Sequence, residues 1–64
     1  MKVNGTTIFL GEQQSLFDFL EANQYDIRLI AVERNGEIVP KAKYKEVMLD
    51  DEDTLEIVNF VGGG

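Results

Sequence analysis

The segment that decides the fold lies near the C-terminal end of the chain and reads TLEIVNFV, residues 54–61. β-Branched and aromatic residues are frequent in it, and these side chains favour an extended strand. Successive side chains of a strand point to opposite faces of the sheet. One face here carries Leu55, Ile57 and Asn59, and the other carries Glu56, Val58 and Phe60. The pattern predicts a strand with apolar side chains on both faces.

Two Asn-Gly pairs, at residues 4–5 and 35–36, predict two β-hairpins before this strand. Asn-Gly readily supplies the positive φ angles of a type I′ turn, the turn that suits a two-residue hairpin loop. Apolar residues alternate or cluster beside both pairs, at Met1, Val3, Ile8 and Leu10 and at Ile30, Val32, Ile38 and Val39. Pro40 closes the second hairpin and starts a short helical turn over KAKY, residues 41–44.

A short helix is predicted between the hairpins. Ser15 can cap its N-terminus, and Asp18, three residues later, can answer as a weaker form of the capping box. The apolar residues at helical spacing are Leu16, Phe17, Phe19 and Leu20. A helix of two or three turns is marginal in isolation, so it must pack on the sheet.

The order strand, strand, helix, strand, strand, strand predicts an α+β fold. Pairing the first and last strands in parallel at the centre satisfies the right-handed crossover rule and gives a β-grasp, or ubiquitin-like, arrangement. We expect a mixed sheet of four to five strands packed on one helix. We expect residues 1–61 to form this domain and residues 62–64 to form a flexible C-terminal glycine tail.

Size and composition argue against an enzyme. A chain of 64 residues has little room for a buried cleft beside its core, and it contains neither cysteine nor histidine. The net charge of −6 disfavours nucleic acid and anionic membranes as partners, and favours a protein with a basic docking face. No apolar segment is long enough to cross a bilayer or to act as a signal peptide, and we expect a cytoplasmic location.

Two groups of carboxylates are candidate sites. The acidic run at residues 50–53 lacks the ligand spacing and glycine of a calcium loop, so we interpret it as a solvated turn and expect no metal. Glu33 and Glu37 flank the second Asn-Gly pair, but nothing predicts the apolar pocket that would raise a catalytic pKa.

The C-terminal glycines are therefore the main candidate for a reactive site. They could be a scar of cloning, a frayed end or a functional tail. Glycine has no Cβ and can thread a narrow tunnel in a partner, which favours a functional tail. The carboxylate of Gly64 would then be the reactive group. A carboxylate is a poor electrophile at pH 7, so another protein must activate it, and we expect adenylation with ATP and Mg²⁺.

NGEIVP at residues 35–40, FVGGG at residues 60–64 and the short length resemble the ThiS sulfur carriers of thiamine biosynthesis. The resemblance implies a protein substrate that binds no cofactor itself. A ThiF-type adenylyltransferase would adenylate Gly64 with ATP and Mg²⁺. A cysteine desulfurase or another persulfide donor would supply the sulfur of a thiocarboxylate, and a ThiG-type thiazole synthase would accept it.

The same resemblance implies roles for other residues. Gly62 and Gly63 would be recognised as the tail, with Gly62 one glycine more than the minimal motif. Exposed Val58 and Phe60 suggest a docking patch from the strand pattern alone, and related carriers meet the activating enzyme there, with Ala31 and Glu33 as neighbours. Two alternatives remain: a carrier for another acceptor, molybdopterin precursor or a tRNA base, and a non-covalent ubiquitin-like binding module.

Overall fold

The strand that follows the acidic run lies at the centre of a five-stranded mixed sheet. The computed structural model describes residues 1–60. In chain order the strands are β1 (Lys2–Val3), β2 (Thr6–Thr7), β3 (Ile30–Arg34), β4 (Glu37–Ile38) and β5 (Thr54–Asn59). Their order across the sheet is β2-β1-β5-β3-β4, with β5 parallel to β1 and antiparallel to β3. The predicted β-grasp arrangement is confirmed.

Both predicted hairpin turns are present. Asn4 and Gly5 have φ angles of 50° and 85°, and Asn35 and Gly36 have 53° and 87°, as a type I′ turn requires. The paired strands are shorter than the apolar pattern predicted. Their outer members β2 and β4 have two residues each, because the chain leaves the ladder soon after each turn.

One helix, α1 (Leu16–Ala22), packs on one face of the sheet. The Ser15 side chain accepts a hydrogen bond from Asp18 N–H at 3.0 Å, which confirms the predicted N-cap. Two further N-terminal amides donate to the returning segment, Leu16 to the Val47 carbonyl at 2.8 Å and Phe17 to the Tyr44 carbonyl at 2.9 Å. Tertiary contacts therefore satisfy the amides that a helix start leaves without partners.

The core lies between α1 and the sheet. Its buried apolar residues are Met1, Leu16, Phe19, Leu20, Ile30, Val32, Tyr44, Leu49, Leu55 and Ile57. Two of them had no predicted role in the core: Tyr44 lies in the predicted helical turn, and Leu49 lies outside every predicted element. Both come from the segment after the 3-10 turn Lys41–Lys43. The sheet face away from α1 has no layer over it among residues 1–60.

The interpretation of residues 50–53 as a solvated turn is wrong for Asp53. Its side chain is only 7% exposed and forms an ion pair with Arg34 at 3.0 Å. Asp50, Asp51 and Glu52 are exposed, as predicted. The buried member of the run is the one that lies directly before β5, where its carboxylate can reach the second hairpin.

Candidate functional site

The C-terminal end of β5 is held on its β3 side up to the last residue that the structure describes. Ile30 lies opposite Asn59, and Phe60 N–H donates to the Leu29 carbonyl at 2.7 Å. Gly64, the predicted reactive residue, follows four residues later, within at most about 14 Å of Phe60 for an extended chain. The predicted reactive residues 62–64 and the predicted domain boundary at residue 61 lie outside the described residues.

The other side of β5 is held by a side chain. Asn4 Oδ1 accepts from Ile57 N–H at 2.7 Å, and Asn4 Nδ2 donates to the Ile57 carbonyl at 3.2 Å. The side-chain amide of Asn4 thus bonds to β5 at the point where the backbone of β1 has already turned away. Since Asn4 already has the positive φ of its turn, one residue both reverses the chain and fixes β5.

The sheet face away from α1, which we call the outer face, carries the predicted partner residues. Val58 and Phe60 are 56% and 63% exposed. Ala31 lies directly opposite Val58 and is half-buried, and Glu33 lies two residues further along β3 on the same face. The structure therefore places all four predicted surface residues on one face, with Phe60 nearest to the tail and Glu33 farthest from it.

Two further residues belong to this surface, and the sequence reasoning did not identify them. Ile38 is 65% exposed and lies opposite Glu33 in the β3–β4 pair. The two-residue loop at Asn35–Gly36 fixes this register, so it could have been counted from the sequence. Lys41 lies with its Nζ 5.6 Å from the centroid of the Phe60 ring, and that contact has no local sequence signal.

Charges surround the apolar part of the outer face. Glu33 and Glu56 lie directly opposite each other on neighbouring strands. Near Phe60, Lys41 Nζ also donates to the Arg28 carbonyl at 3.3 Å. The Arg28 guanidinium itself bonds to Asp26, with Nη2 to Oδ2 at 2.9 Å, and this hydrogen bond holds the pKa of the Asp26 carboxyl below its usual value.

Residues 1–60 contain no group of three or more His, Cys, Asp or Glu side chains placed to hold a metal ion. A shallow depression of about 710 Å³ lies beside the start of α1, lined in part by Phe17, Lys45 and Met48, on the other layer from the outer face. No helix among these residues has the length and apolar character needed to cross a membrane.

Comparison with known proteins agrees with this arrangement. The sulfur carrier protein ThiS of Bacillus subtilis is 40% identical over 65 aligned positions, which cover 100% of this chain and 98% of that protein. The crystal structure of a thiamine biosynthesis protein (ThiS) from Geobacter metallireducens superposes with a TM-score of 0.77 at 29% identity. The superposition covers 98% of this chain and 96% of that one.

A second kind of relative matches over a shorter stretch. A thiazole synthase of Paramagnetospirillum magneticum is 62% identical over 39 residues, which are 61% of this chain but only 12% of that protein. The family profile, in contrast, matches the whole chain, residues 1–64. On this full-length match, the chain belongs to the ThiS family.

Proposed function

We propose that this protein is a sulfur carrier whose C-terminal thiocarboxylate supplies sulfur for the thiazole of thiamine. The observation that carries the proposal is the match to a ThiS sulfur carrier over the whole chain, including the glycine end. The fold supports it because β5 is held on both sides and leads directly to the glycines. The protein acts as a co-substrate and not as a catalyst.

The reaction begins at the Gly64 carboxylate. A ThiF-type adenylyltransferase joins this carboxylate to the α-phosphate of ATP, with Mg²⁺ on the phosphates, and pyrophosphate leaves. A persulfide sulfur from a cysteine desulfurase or a similar donor then attacks the acyl carbon, and AMP leaves. The acyl disulfide formed is reduced by a thiol, which leaves the thiocarboxylate on the carrier. ATP and Mg²⁺ belong to the activating enzyme, and the carrier needs no bound cofactor.

Each predicted residue has a place in this scheme. Gly62 and Gly63 let the tail enter the narrow sites of both enzymes, since they have no side chain to exclude. Val58 and Phe60, with Ala31 and Glu33 beside them, dock on the adenylyltransferase. The proposed location of this reaction is the cytoplasm.

A ThiG-type thiazole synthase is the proposed sulfur acceptor. The support is the thiazole synthase that is 62% identical to this chain over 39 residues. In that relative, the segment similar to this chain is part of a protein named thiazole synthase. This favours thiazole over molybdopterin precursor or a tRNA base as the destination of sulfur.

The test is intact mass spectrometry after incubation with ATP, Mg²⁺, sulfide and the ThiF-type enzyme of the same organism. We expect a gain of about 16 Da, from replacement of one oxygen by sulfur, located on the C-terminal peptide. A variant that ends at Val61 is the control and should keep its mass. An unchanged mass for the full chain, with an enzyme that modifies its own known carrier, would show that the protein is not a sulfur carrier.

A further inference from the structure

We propose that the outer face orients its partner by charge, with an acidic end at Glu33 and Glu56 and a cationic end at Lys41. The partner surface would place an arginine or lysine against the two glutamates and a carboxylate against Lys41, with apolar side chains between. The inference rests on the proposed docking to the adenylyltransferase and adds the chemistry of the surface that the enzyme must present.

The first observation is the like-charge pair. Glu33 and Glu56 are Cα partners in the antiparallel β3–β5 ladder. Like charges directly opposite each other destabilise a sheet. Neither carboxylate has a cationic nitrogen within 4.0 Å among residues 1–60, although Lys2 lies on the neighbouring strand β1. The free carrier thus keeps a repulsive pair that a cation from a partner would neutralise.

The second observation is the cation at the opposite end. Lys41 Nζ lies over the Phe60 ring at 5.6 Å and donates to the Arg28 carbonyl at 3.3 Å. These contacts hold the ammonium beside the residue from which the tail departs. The nearby Arg28 is already paired with Asp26, so Lys41 is the cation that remains for a partner at this end of the described surface.

The two ends are separated along β5. Glu56 and Phe60 are four residues apart, which is about 13 Å in a strand. Between them lies the exposed apolar side chain of Val58, with Ala31 opposite it, while the exposed Ile38 lies at the acidic end, beside Glu33. An apolar patch alone would allow docking in several orientations. Opposite charges at its two ends favour one of them, because the reversed orientation brings like charges together.

Orientation matters here because the tail is short. The carboxylate of Gly64 can reach at most about 14 Å beyond Phe60, so a partner docked the wrong way round cannot bring its active site to it. The charge pattern therefore serves catalysis by placing the tail, while the apolar residues supply most of the contact area. The charged residues are positioning residues, since none of them touches the reacting atoms.

Melting temperature and KM together distinguish a docking role of Glu56 from a role in stabilising the fold. Glu56→Gln removes the repulsion, so the melting temperature of the free carrier should rise by about 1–4 °C. The same change removes a partner contact, so the KM of the carrier in adenylation should rise about tenfold with kcat within twofold. A residue that merely supports the fold would move stability and KM in the same unfavourable sense.

The experiment measures adenylation of the full chain by the ThiF-type enzyme through ATP–pyrophosphate exchange, at low and high salt. The test variants are Glu33→Gln, Glu56→Gln and Lys41→Met. Each has a matched control with the same change of charge on the other layer. Glu12→Gln is the control for the two glutamate variants. Lys45→Met is the control for Lys41→Met, because Lys45 Nζ also lies over an aromatic ring, 4.8 Å from the centroid of Phe17. We expect the test variants to raise KM, most strongly at low salt, and the controls to stay within twofold of the wild type.

Wild-type KM values for the test variants would overturn the inference. Equal losses in test variants and controls would also overturn it, because they would indicate only long-range attraction by the net charge. Both results differ from a failure of the proposed function, in which the wild-type chain itself is not adenylated.

Discussion

The Asp53 carboxylate accepts hydrogen bonds from Asn35 Nδ2 at 2.9 Å, from Asp50 N–H at 2.9 Å and from Arg34 Nε at 3.0 Å. Burial raises the pKa of Asp53, but these hydrogen bonds and the charge of Arg34 outweigh it and set the pKa below its usual value. The charged form is therefore stabilised by folding. Its contribution is present above the ordinary aspartate pKa and is lost as the pH falls through the lowered value.

We expect Asp53→Asn to destabilise the protein by about 2–3 kcal/mol at pH 7, because the amide offers one acceptor oxygen and leaves Arg34 without its counter-ion. Urea unfolding should show the difference from the wild type narrowing as the pH falls below about 4. Glu52→Gln, an exposed change in the same turn, is the control and should alter stability by less than about 0.5 kcal/mol. A pH-independent difference would show that the charge of Asp53 is not what stabilises the fold.

At the scale of elements, the two hairpins are joined to β5 by the asparagines of their turns. Asn4 bonds to both backbone groups of Ile57, and Asn35 Oδ1 accepts from Thr54 N–H at 2.9 Å. Asparagine in an Asn-Gly pair is usually explained by its tolerance of positive φ. In this fold each asparagine has a second role, which is to extend its hairpin's hydrogen bonding onto the central strand.

Asn4→Gly separates these two roles, because glycine keeps the positive φ and removes the side chain. We expect a loss of about 1–2 kcal/mol in unfolding free energy from two hydrogen bonds. Amide hydrogen exchange should become faster at Ile57, whose N–H loses its acceptor, while the Phe19 amide, which donates to the Ser15 carbonyl in α1, follows only the global change. If the Ile57 amide keeps its protection in this variant, the side-chain contact does not hold the strand.

The elements also show what the sequence could predict and what it could not. The hairpin turns, the Ser15 cap and the central β5 were predictable because each depends on neighbours in the chain. Tyr44 was placed in a turn, and its burial comes from packing between distant segments. Burial raises the pKa of its phenol, and the nearby Val32 backbone opposes this rise only in part. Nothing in the local pattern indicates that a tyrosine there would enter the core.

The candidate site likewise combines features that depend on neighbours in the chain with contacts between distant segments. Val58 and Phe60 were assigned to the outer face by alternation along β5, and the structure places them there. The local sequence does not indicate Lys41, because its contact with Phe60 depends on where the 3-10 turn Lys41–Lys43 lies against the end of β5. The prediction of a ThiS-type carrier is confirmed by the full-length match, whereas the roles of Gly62, Gly63 and Gly64 stay predictions.

At the scale of the whole molecule, the inner face of the sheet stabilises the fold and the outer face is the surface proposed for recognition. The inner face packs on α1 through residues such as Val32, which is fully buried. The outer face presents Val58, which lies on the neighbouring strand and is 56% exposed. A small domain has only about 3–10 kcal/mol of stability in total, so substitutions on the inner face can remove little of it before the protein unfolds. Residues on the outer face contribute less to stability and can differ to suit a partner.

Val32→Ala and Val58→Ala make the same chemical change on these two faces. We expect Val32→Ala to cost about 2 kcal/mol in urea unfolding, through lost burial and the cavity left in the core. Val58→Ala should cost less than about 0.5 kcal/mol, yet raise the KM of the carrier for the adenylyltransferase several-fold, since it shortens the apolar contact beside Phe60. Equal destabilisation by both variants would mean that the outer face is covered in the free protein. A normal KM for Val58→Ala would remove this residue from the docking surface.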